Sequence, residues 1–422
     1  AVSGDEVWVA EGTYKPDQGF EETTGDRKKS FRLVDGVSII GGFAGVEKEL
    51  PARGKFKDTI LTGKISTGSK NSYHVVVAEN ISDPKTILKG FTIKNGVASG
   101  GVIGTEVHSI GGGFVILNSS IIIENCAFIE NAASNLNASG GQGGAIYVSQ
   151  SSPVFINCLI QENNASNGGG VFISGGNATF TDSNFSSNRS TSGGAVSLTG
   201  ANANAYFQGC IFEDNNATVG GAFRNQSKST FANCVFDKNK AIAVNNSSNS
   251  VQGVGGAILN ESTRDLIFQN CIFFQNKATF KGGAITNVFQ DKTKIVNSLF
   301  YKNESIQGGS IFNESSTGPL ISNSIFWENT SNDNIGHGIA GSTIWISRSN
   351  FPNILQGADE SINFLSNDPL FINPLSPKGT DKKWLTNDDG FMLSQNSKAI
   401  NTGNKTQLIA DSVDIDNDTD FV

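Results

Sequence analysis

A fixed period constrains this chain more than any other feature. An aromatic or Ile, two variable residues and an Asn recur at 128–131, 160–163, 185–188, 212–215, 236–239, 273–276, 300–303 and 326–329. The closing Asn residues of successive copies lie 32, 25, 27, 24, 37, 27 and 26 positions apart. Between them, Gly-Gly followed by a small or apolar residue starts at Gly143, Gly169, Gly193, Gly220, Gly255, Gly282 and Gly308. Self-similarity in this range marks a stacked-repeat architecture.

The columns inside the repeat say how one unit folds. Two residues before each Phe or Ile stands a small residue: Cys126, Cys158, Ser183, Cys210, Cys234, Cys271, Ser298 and Ser324. Residues two apart share a strand face, so both point inward. Three residues further upstream is another apolar column, Ile123, Phe155, Phe180, Phe207, Phe231, Phe268, Ile295 and Ile321. An odd offset cannot keep one face inside on an unbroken strand, so the chain must turn between the two. The residue at the break is Asn125, Asn157, Asp182, Gly209, Asn233, Asn270, Asn297 and Asn323, the types that tolerate a left-handed backbone. The closing Asn reads as a second corner and the Gly pair as a third.

Three short strands and three corners per turn of about 25 residues describe an all-β, single right-handed parallel β-helix. At about 4.8 Å per coil the eight copies make a rod roughly 40 Å long. A sandwich of hairpins would show no such phase break. The regular repeats are placed at 73–335, irregular early coils at 1–72, and further coils with a cap over the open end at 336–422. Polar insertions at 132–142 and 241–253 follow the same closing corner, so they are expected on one edge of the rod.

A net charge of −8 with no basic stripe argues against nucleic acid and acidic membrane surfaces as partners. No apolar run is long enough to cross a bilayer, and no signal peptide is visible, so the chain reads as a mature or trimmed product. The five Cys all occupy the inward small column; stacked side chains point parallel, which suits buried thiols and not disulfides.

The alternation of Gly-Gly-Ala-Ile-type and Phe-x-x-Asn signatures over 111–329 resembles the polymorphic outer-membrane protein repeats first described on chlamydial surfaces. The flanks are similar to bacterial surface β-helix proteins with a choice-of-anchor Q domain: GDEVWVAEGTYKP at 4–16, GVSIIGGFAG at 36–45, DPLF at 368–371 and SKAINTG at 397–403. The resemblance implies an exported or surface-displayed protein, bacterial outer-membrane-associated, adhesive or scaffold-like, with surface proteins or glycans as partners and a place in an outer-membrane complex. It supplies no catalytic residues.

Three chemistries are weighed on the residues. Pectate-lyase-like and chondroitinase-like enzymes use such a fold, and need a base, a carboxylate and a cation clustered on adjacent coils. The outward column after the Gly pair, Tyr147, Phe172, Ser197, Arg224, Leu259, Thr286 and Phe312, holds one Arg and no acid. Arg224, Lys228, Arg264 and Lys281 make at most a scattered basic patch, so an enzyme is not the favoured reading. Tyr147 and Phe172 are equivalent residues on successive coils and form a candidate aromatic platform for a sugar, with Arg224 on the same face. Asp414, Asp416, Asp418 and Asp420 alternate like the opening of a calcium loop, without its Gly or closing Glu; Asp381, Asp388 and Asp389 are a second acidic group. Structural calcium is the one cofactor these suggest. His74, His108 and His337 stand far apart in the repeat and read as structural or solvated side chains, not ligands. The function expected is a surface-associated binding rod, with a polysaccharide-active enzyme or carbohydrate-binding protein as the alternative.

Overall fold

The computed structural model describes residues 1–422 except 20–21, 48–57, 66–69, 104–105, 135–139, 245–251, 290–291, 315–317, 332–338, 342–344, 348–367, 398 and 401–422. The chain is a right-handed parallel β-helix. A representative coil carries strands Ile146–Ser149, Val154–Ile156 and Leu159–Gln161. Each pairs in parallel with its equivalents one coil above and below, as Tyr147 with Val115 and Phe172, and Ile160 with Phe128 and Phe185. The first two strand columns belong to one 21-stranded sheet and the third to an 11-stranded sheet. A two-residue step after each closing Asn, such as Asn216–Ala217, Lys240–Ala241 and Lys277–Ala278, forms a narrow third edge. The early segments join the same stack, Glu6–Ala10 on Ser38–Phe43 and Gly12–Tyr14 on Thr59–Thr62.

The expected corner between the two inward columns is present in all eight copies, with φ of 49–61° from Asn323 to Gly209. The second corner differs from expectation. Its left-handed residue is the one before the closing Asn: Glu130, Glu162, Ser187, Asp214, Lys238, Gln275, Lys302 and Glu328, with φ of 50–56°. The Asn itself is buried and points inward. Its amide is what the position requires. Asn215 Nδ2 donates to Phe185 O at 2.8 Å and to Asn239 Oδ1 at 3.0 Å, while Asn215 N–H donates to the same Oδ1 at 3.1 Å. The pattern repeats from Asn131 to Asn329, so the buried amides satisfy one another coil by coil.

Gly-Gly is also explained. The first glycine is left-handed, φ 59–66° at Gly143, Gly193, Gly220, Gly255, Gly282 and Gly308. Register pairs Ile146 with Val171, so the equivalent of Gly143 in the next coil is Gly168, φ 61°, and not Gly169. The second glycine is held by crowding: a Cβ on Gly221 or Gly256 would run into the backbone carbonyl of Gly256 or Gly283 in the next coil.

Two ring ladders fill the interior. Phe155, Phe180, Phe207, Phe231 and Phe268 stack at 4.5–5.1 Å. They meet Phe185, Phe212, Phe236 and Phe273 edge-on at 5.2–5.5 Å. Such pairs each contribute about 0.5–1.5 kcal/mol beyond area burial. The five Cys are buried and unbridged. Each turns its thiol onto main-chain carbonyls, as Cys126 Sγ does on Leu88 O at 3.6 Å. Burial pushes the Cys126 thiol up to about 12 and raises those of Cys158 and Cys234, so these three are inert packing groups. A second, shorter amide ladder, Asn225 to Asn260 at 2.9 Å and Asn260 to Asn287 at 3.1 Å, replaces the apolar residues Val148, Ile173 and Leu198 that fill this column in earlier coils.

The C-terminal region was expected to cap the open end of the rod. Strands Ile339–Gly341 and Trp345–Ser347 do add a further coil, on Ile311–Asn313 and Leu320–Ser322, whereas the described residues from 368 to 397 lie on the flank, against the outer face of the third strand column. Trp384 and Phe391 pack with Val235, Phe274, Leu299 and Tyr301. The outward residues there change from Ser186 and Glu213 to Phe274, Tyr301 and Trp327, an apolar strip that needs cover. Lys378 is paired with Glu213 and lies 3.4 Å from Asp237, which also accepts Trp384 Nε1–H at 3.1 Å. Burial pushes the Asp237 carboxyl up, opposed by Lys238 and Lys378.

Candidate functional site

The third edge is where the regular stack opens. The first residue of each step faces out and the second is a small residue facing in, among them the buried Ala133, Ala165, Ala217, Ala241 and Ala278. The outward row runs Ala132, Asn164, Arg189, Asn216, Lys240, Lys277, Glu304 and Thr330, held in parallel register by bridges between neighbours. Both polar insertions leave from this edge, as expected. The first departs after Ser134 and rejoins at Gly140; the second departs after Val244, and Gly253 N–H at its return donates to Thr218 O at 2.7 Å. Three coils lie between them.

Those coils form an open groove of about 570 Å³ that starts at the stem of the first insertion, Ala133 and Ser134, and crosses Asn164, Arg189 and Asn216. Ser166, Ser190 and Thr191 supply hydroxyls beside that row. Beyond the second insertion the same edge holds a smaller groove of about 270 Å³, lined by Lys277, Thr279, Glu304, Ser305, Ile306 and Thr330. The two differ in electrostatics. Lys277 Nζ meets Glu304 Oε1 at 2.7 Å, so the second groove is neutralised. Arg189 is exposed, none of the residues lining its groove is acidic, and it forms no ion pair among the described residues.

The outward column of the first strands is a different surface. Tyr147 and Phe172 do meet, rings 5.6 Å apart and 4° from parallel. They stack on each other, and Phe172 is only 6% exposed; burial also raises the Tyr147 phenol. The bridge ladder just before the Gly pairs runs through Asn167, Ser192, Val219, Val254 and Lys281 and touches this column where Ser192 Oγ accepts from Arg224 at 3.0 Å and Lys281 O accepts from Thr286 Oγ1 at 2.9 Å. Arg224 lies two coils beyond Phe172. Its guanidinium bonds Glu261 Oε2 at 2.6 Å and Ser192 Oγ at 3.0 Å. Lys281 likewise pairs with Glu314 and lies 4.6 Å over the Phe312 ring. The structure joins the two rings and leaves Arg224 apart.

Asp414, Asp416, Asp418 and Asp420 lie outside the described residues. In the second acidic group, Asp388 accepts from Thr380 Oγ1 at 2.6 Å, from the Thr380 N–H, and from Thr386 Oγ1 at 2.9 Å, and these bonds hold its carboxyl well below the usual range. The loop's own donors occupy this carboxylate. Among the described residues no three His, Cys, Asp or Glu are grouped to hold a metal.

Two of the histidines are neighbours, contrary to their reading as isolated groups. His74 Nε2 and His108 Nδ1 lie 3.3 Å apart, with His74 Nδ1 3.1 Å from Gly111 O. Tyr73 stacks on His108 at 4.5 Å and Arg27 covers the other side of that phenol at 4.1 Å. An antiparallel hairpin, Val102–Ile103 with Glu106–Val107, carries His108 back to the stack; it interrupts the period, which is why spacing hid the contact. His337 lies outside the described residues. Arg189 was missed for a different reason: the column after the closing Asn was not followed from coil to coil, and Arg189 is its one cation between Ala132 and Lys240.

The family model for right handed β-helix regions matches residues 144–326. The chain is a β-helix repeat protein. No curated protein matches it. Among solved structures it is similar to pectate lyase Pel9A, at 14% identity and a TM-score of 0.48 over 98% of this chain and 86% of that one. It is also similar to ORF18 of Geobacillus virus E2, at 13% identity and a TM-score of 0.37, where 80% of this chain aligns with about half (51%) of the viral one. A third likeness is to tailspike gp49 of the Acinetobacter baumannii bacteriophage Fri1, a capsular polysaccharide depolymerase, at 11% identity and a TM-score of 0.32 over 86% of this chain and 58% of that one. At these values the likeness concerns the path of the chain. No helix among the described residues is long and apolar enough to cross a membrane, which says nothing of β-barrels.

Proposed function

We propose that this chain is an extracellular, surface-associated rod of the polymorphic outer-membrane protein and choice-of-anchor Q kind, an adhesin or scaffold that holds surface proteins or glycans along its third edge. The observation that carries this reading is the shared edge: two insertions leave the stack from the same face, with three coils between them and an open polar groove of about 570 Å³ starting at the first stem. Loops on one face of a solenoid are its usual binding device. The alternative, a polysaccharide-active enzyme, would draw its bases from Arg224 and Lys281, and each is engaged by a glutamate, Glu261 or Glu314.

Shortening 135–139 or 245–251 to a Gly-Ser link is expected to lower binding to immobilised surface glycans and surface proteins by about tenfold, which is about 1.4 kcal/mol. Thermal stability should stay nearly constant, since excursions outside a stack carry little of it. The same preparations are assayed for ultraviolet-absorbing double bonds on uronate polymers. Unchanged binding in both deletion variants contradicts the reading, and turnover lost in Arg224→Ala or Lys281→Ala favours the enzyme.

A further inference from the structure

We infer that the groove at Asn164, Arg189 and Asn216 is a subsite for a carboxylate-bearing glycan, with Arg189 receiving the carboxylate; this deepens the third-edge reading and rests on it. Three observations combine. Arg189 is exposed in the floor of the groove and unpaired among the described residues, whereas the equivalent Lys277 in the neighbouring groove is neutralised by Glu304 at 2.7 Å. An arginine fork matches a planar carboxylate with two parallel N–H···O bonds, a geometry that lysine does not offer.

Asn164 and Asn216 flank Arg189 one coil to each side, in bridge register. Equivalent positions repeat at about 4.8 Å, so the row reads amide, guanidinium, amide, each amide carrying donors and an acceptor for sugar hydroxyls. Ser166 and Thr191 add hydroxyls alongside.

The groove also lacks what a protein partner needs. Its lining is Asn, Ser, Thr, Ala and one Arg, without an aromatic or large aliphatic side chain. Protein interfaces draw most of their energy from such anchors in desolvated pockets. A chain of hydroxyls with a carboxylate fits this surface, and an acidic peptide does not. The groove is open, so the contact is a wet one and its electrostatic part is screened by salt.

The test is titration calorimetry of the full chain with hexagalacturonate and hyaluronan hexasaccharide, each also in carboxyl-reduced form, and with a hexa-aspartate peptide. The expected result is binding to at least one acidic oligosaccharide, weaker by tenfold or more after carboxyl reduction, weakening as salt rises, and absent for the peptide. Arg189→Ala should lose at least tenfold, Arg189→Lys should recover part of it, and Lys277→Ala should match the parent chain. Failure to bind any acidic oligosaccharide, equal affinity for the reduced forms, peptide binding in place of sugar, or an unchanged Arg189→Ala would overturn the inference. The loop-shortened variants separate the two levels. If they still lose binding to surface glycans or proteins while Arg189→Ala does not, the third-edge reading stands and only the carboxylate assignment falls.

Discussion

Replacing Asn239 by leucine lowers stability by about 3–5 kcal/mol, because it leaves several buried groups without partners at about 1–3 kcal/mol each. Asn215 loses its acceptor for both N–H and Nδ2, at 3.1 and 3.0 Å, and Phe212 O loses the amide that reaches it at 2.8 Å. Leucine is of similar size and equally inward, so packing alone would predict a small change. The control is Asn177→Leu, at an exposed strand position, expected within about 0.5 kcal/mol. Chemical denaturation compares the two, and hydrogen exchange at the Asn215 amide locates the damage. Equal denaturation midpoints would show that the ladder contributes nothing specific.

Gly256→Ala is expected to cost about 3 kcal/mol or more, at the top of the usual range for overpacking. The added Cβ points at Gly283 O and at Lys277 main-chain atoms, and none of these is a flexible side chain that can move aside. Because the contact is between coils, the cost falls on the interface term that holds neighbouring repeats together. Gly101→Ala is the matched control, since nothing lies within 4 Å of its added Cβ, and the same denaturation series reads both. A Gly256→Ala protein as stable as the Gly101→Ala protein would mean that the coils are less tightly stacked than their glycines require.

How much of this was legible follows from which forces write on sequence. The stacking period is visible because Phe207 must meet Phe231 and Cys210 must meet Cys234 in the next coil, so each inward column is restricted to a few residue types. The Asn125-type corner was visible for the same reason: a left-handed backbone favours Asn and Gly. At the second corner that logic misled. Glu130, Glu162, Lys238 and Gln275 take φ near 55° without being Asn or Gly, while Asn131 is selected for its buried amide. The ladder Asn225, Asn260, Asn287 was in plain view as Gly-Gly-Ala-x-x-Asn, but amides that bond only one coil away leave no mark within a single repeat.

The site was less legible than the core. Outward residues are not constrained by stacking, so Arg189 looks like any surface arginine until register places it between Asn164 and Asn216. Tyr147 and Phe172 show the converse: their equivalence was readable, yet the burial of Phe172 was not, because an outward strand position alone does not say what packs beside it. The His74–His108 contact and the flank position of Trp384 both depend on segments that leave the period, where sequence spacing no longer measures distance.

The most direct test of a third-edge binding rod is a glycan array probed with the full chain and with Ser166→Trp, which fills the groove from a half-buried lining position that belongs to neither the Asn ladder nor the ring ladders. The account predicts that the parent chain's glycan signals disappear in Ser166→Trp while its melting temperature is kept. Glycan signals that survive unchanged in a folded Ser166→Trp protein would contradict it and move the working surface elsewhere on the rod.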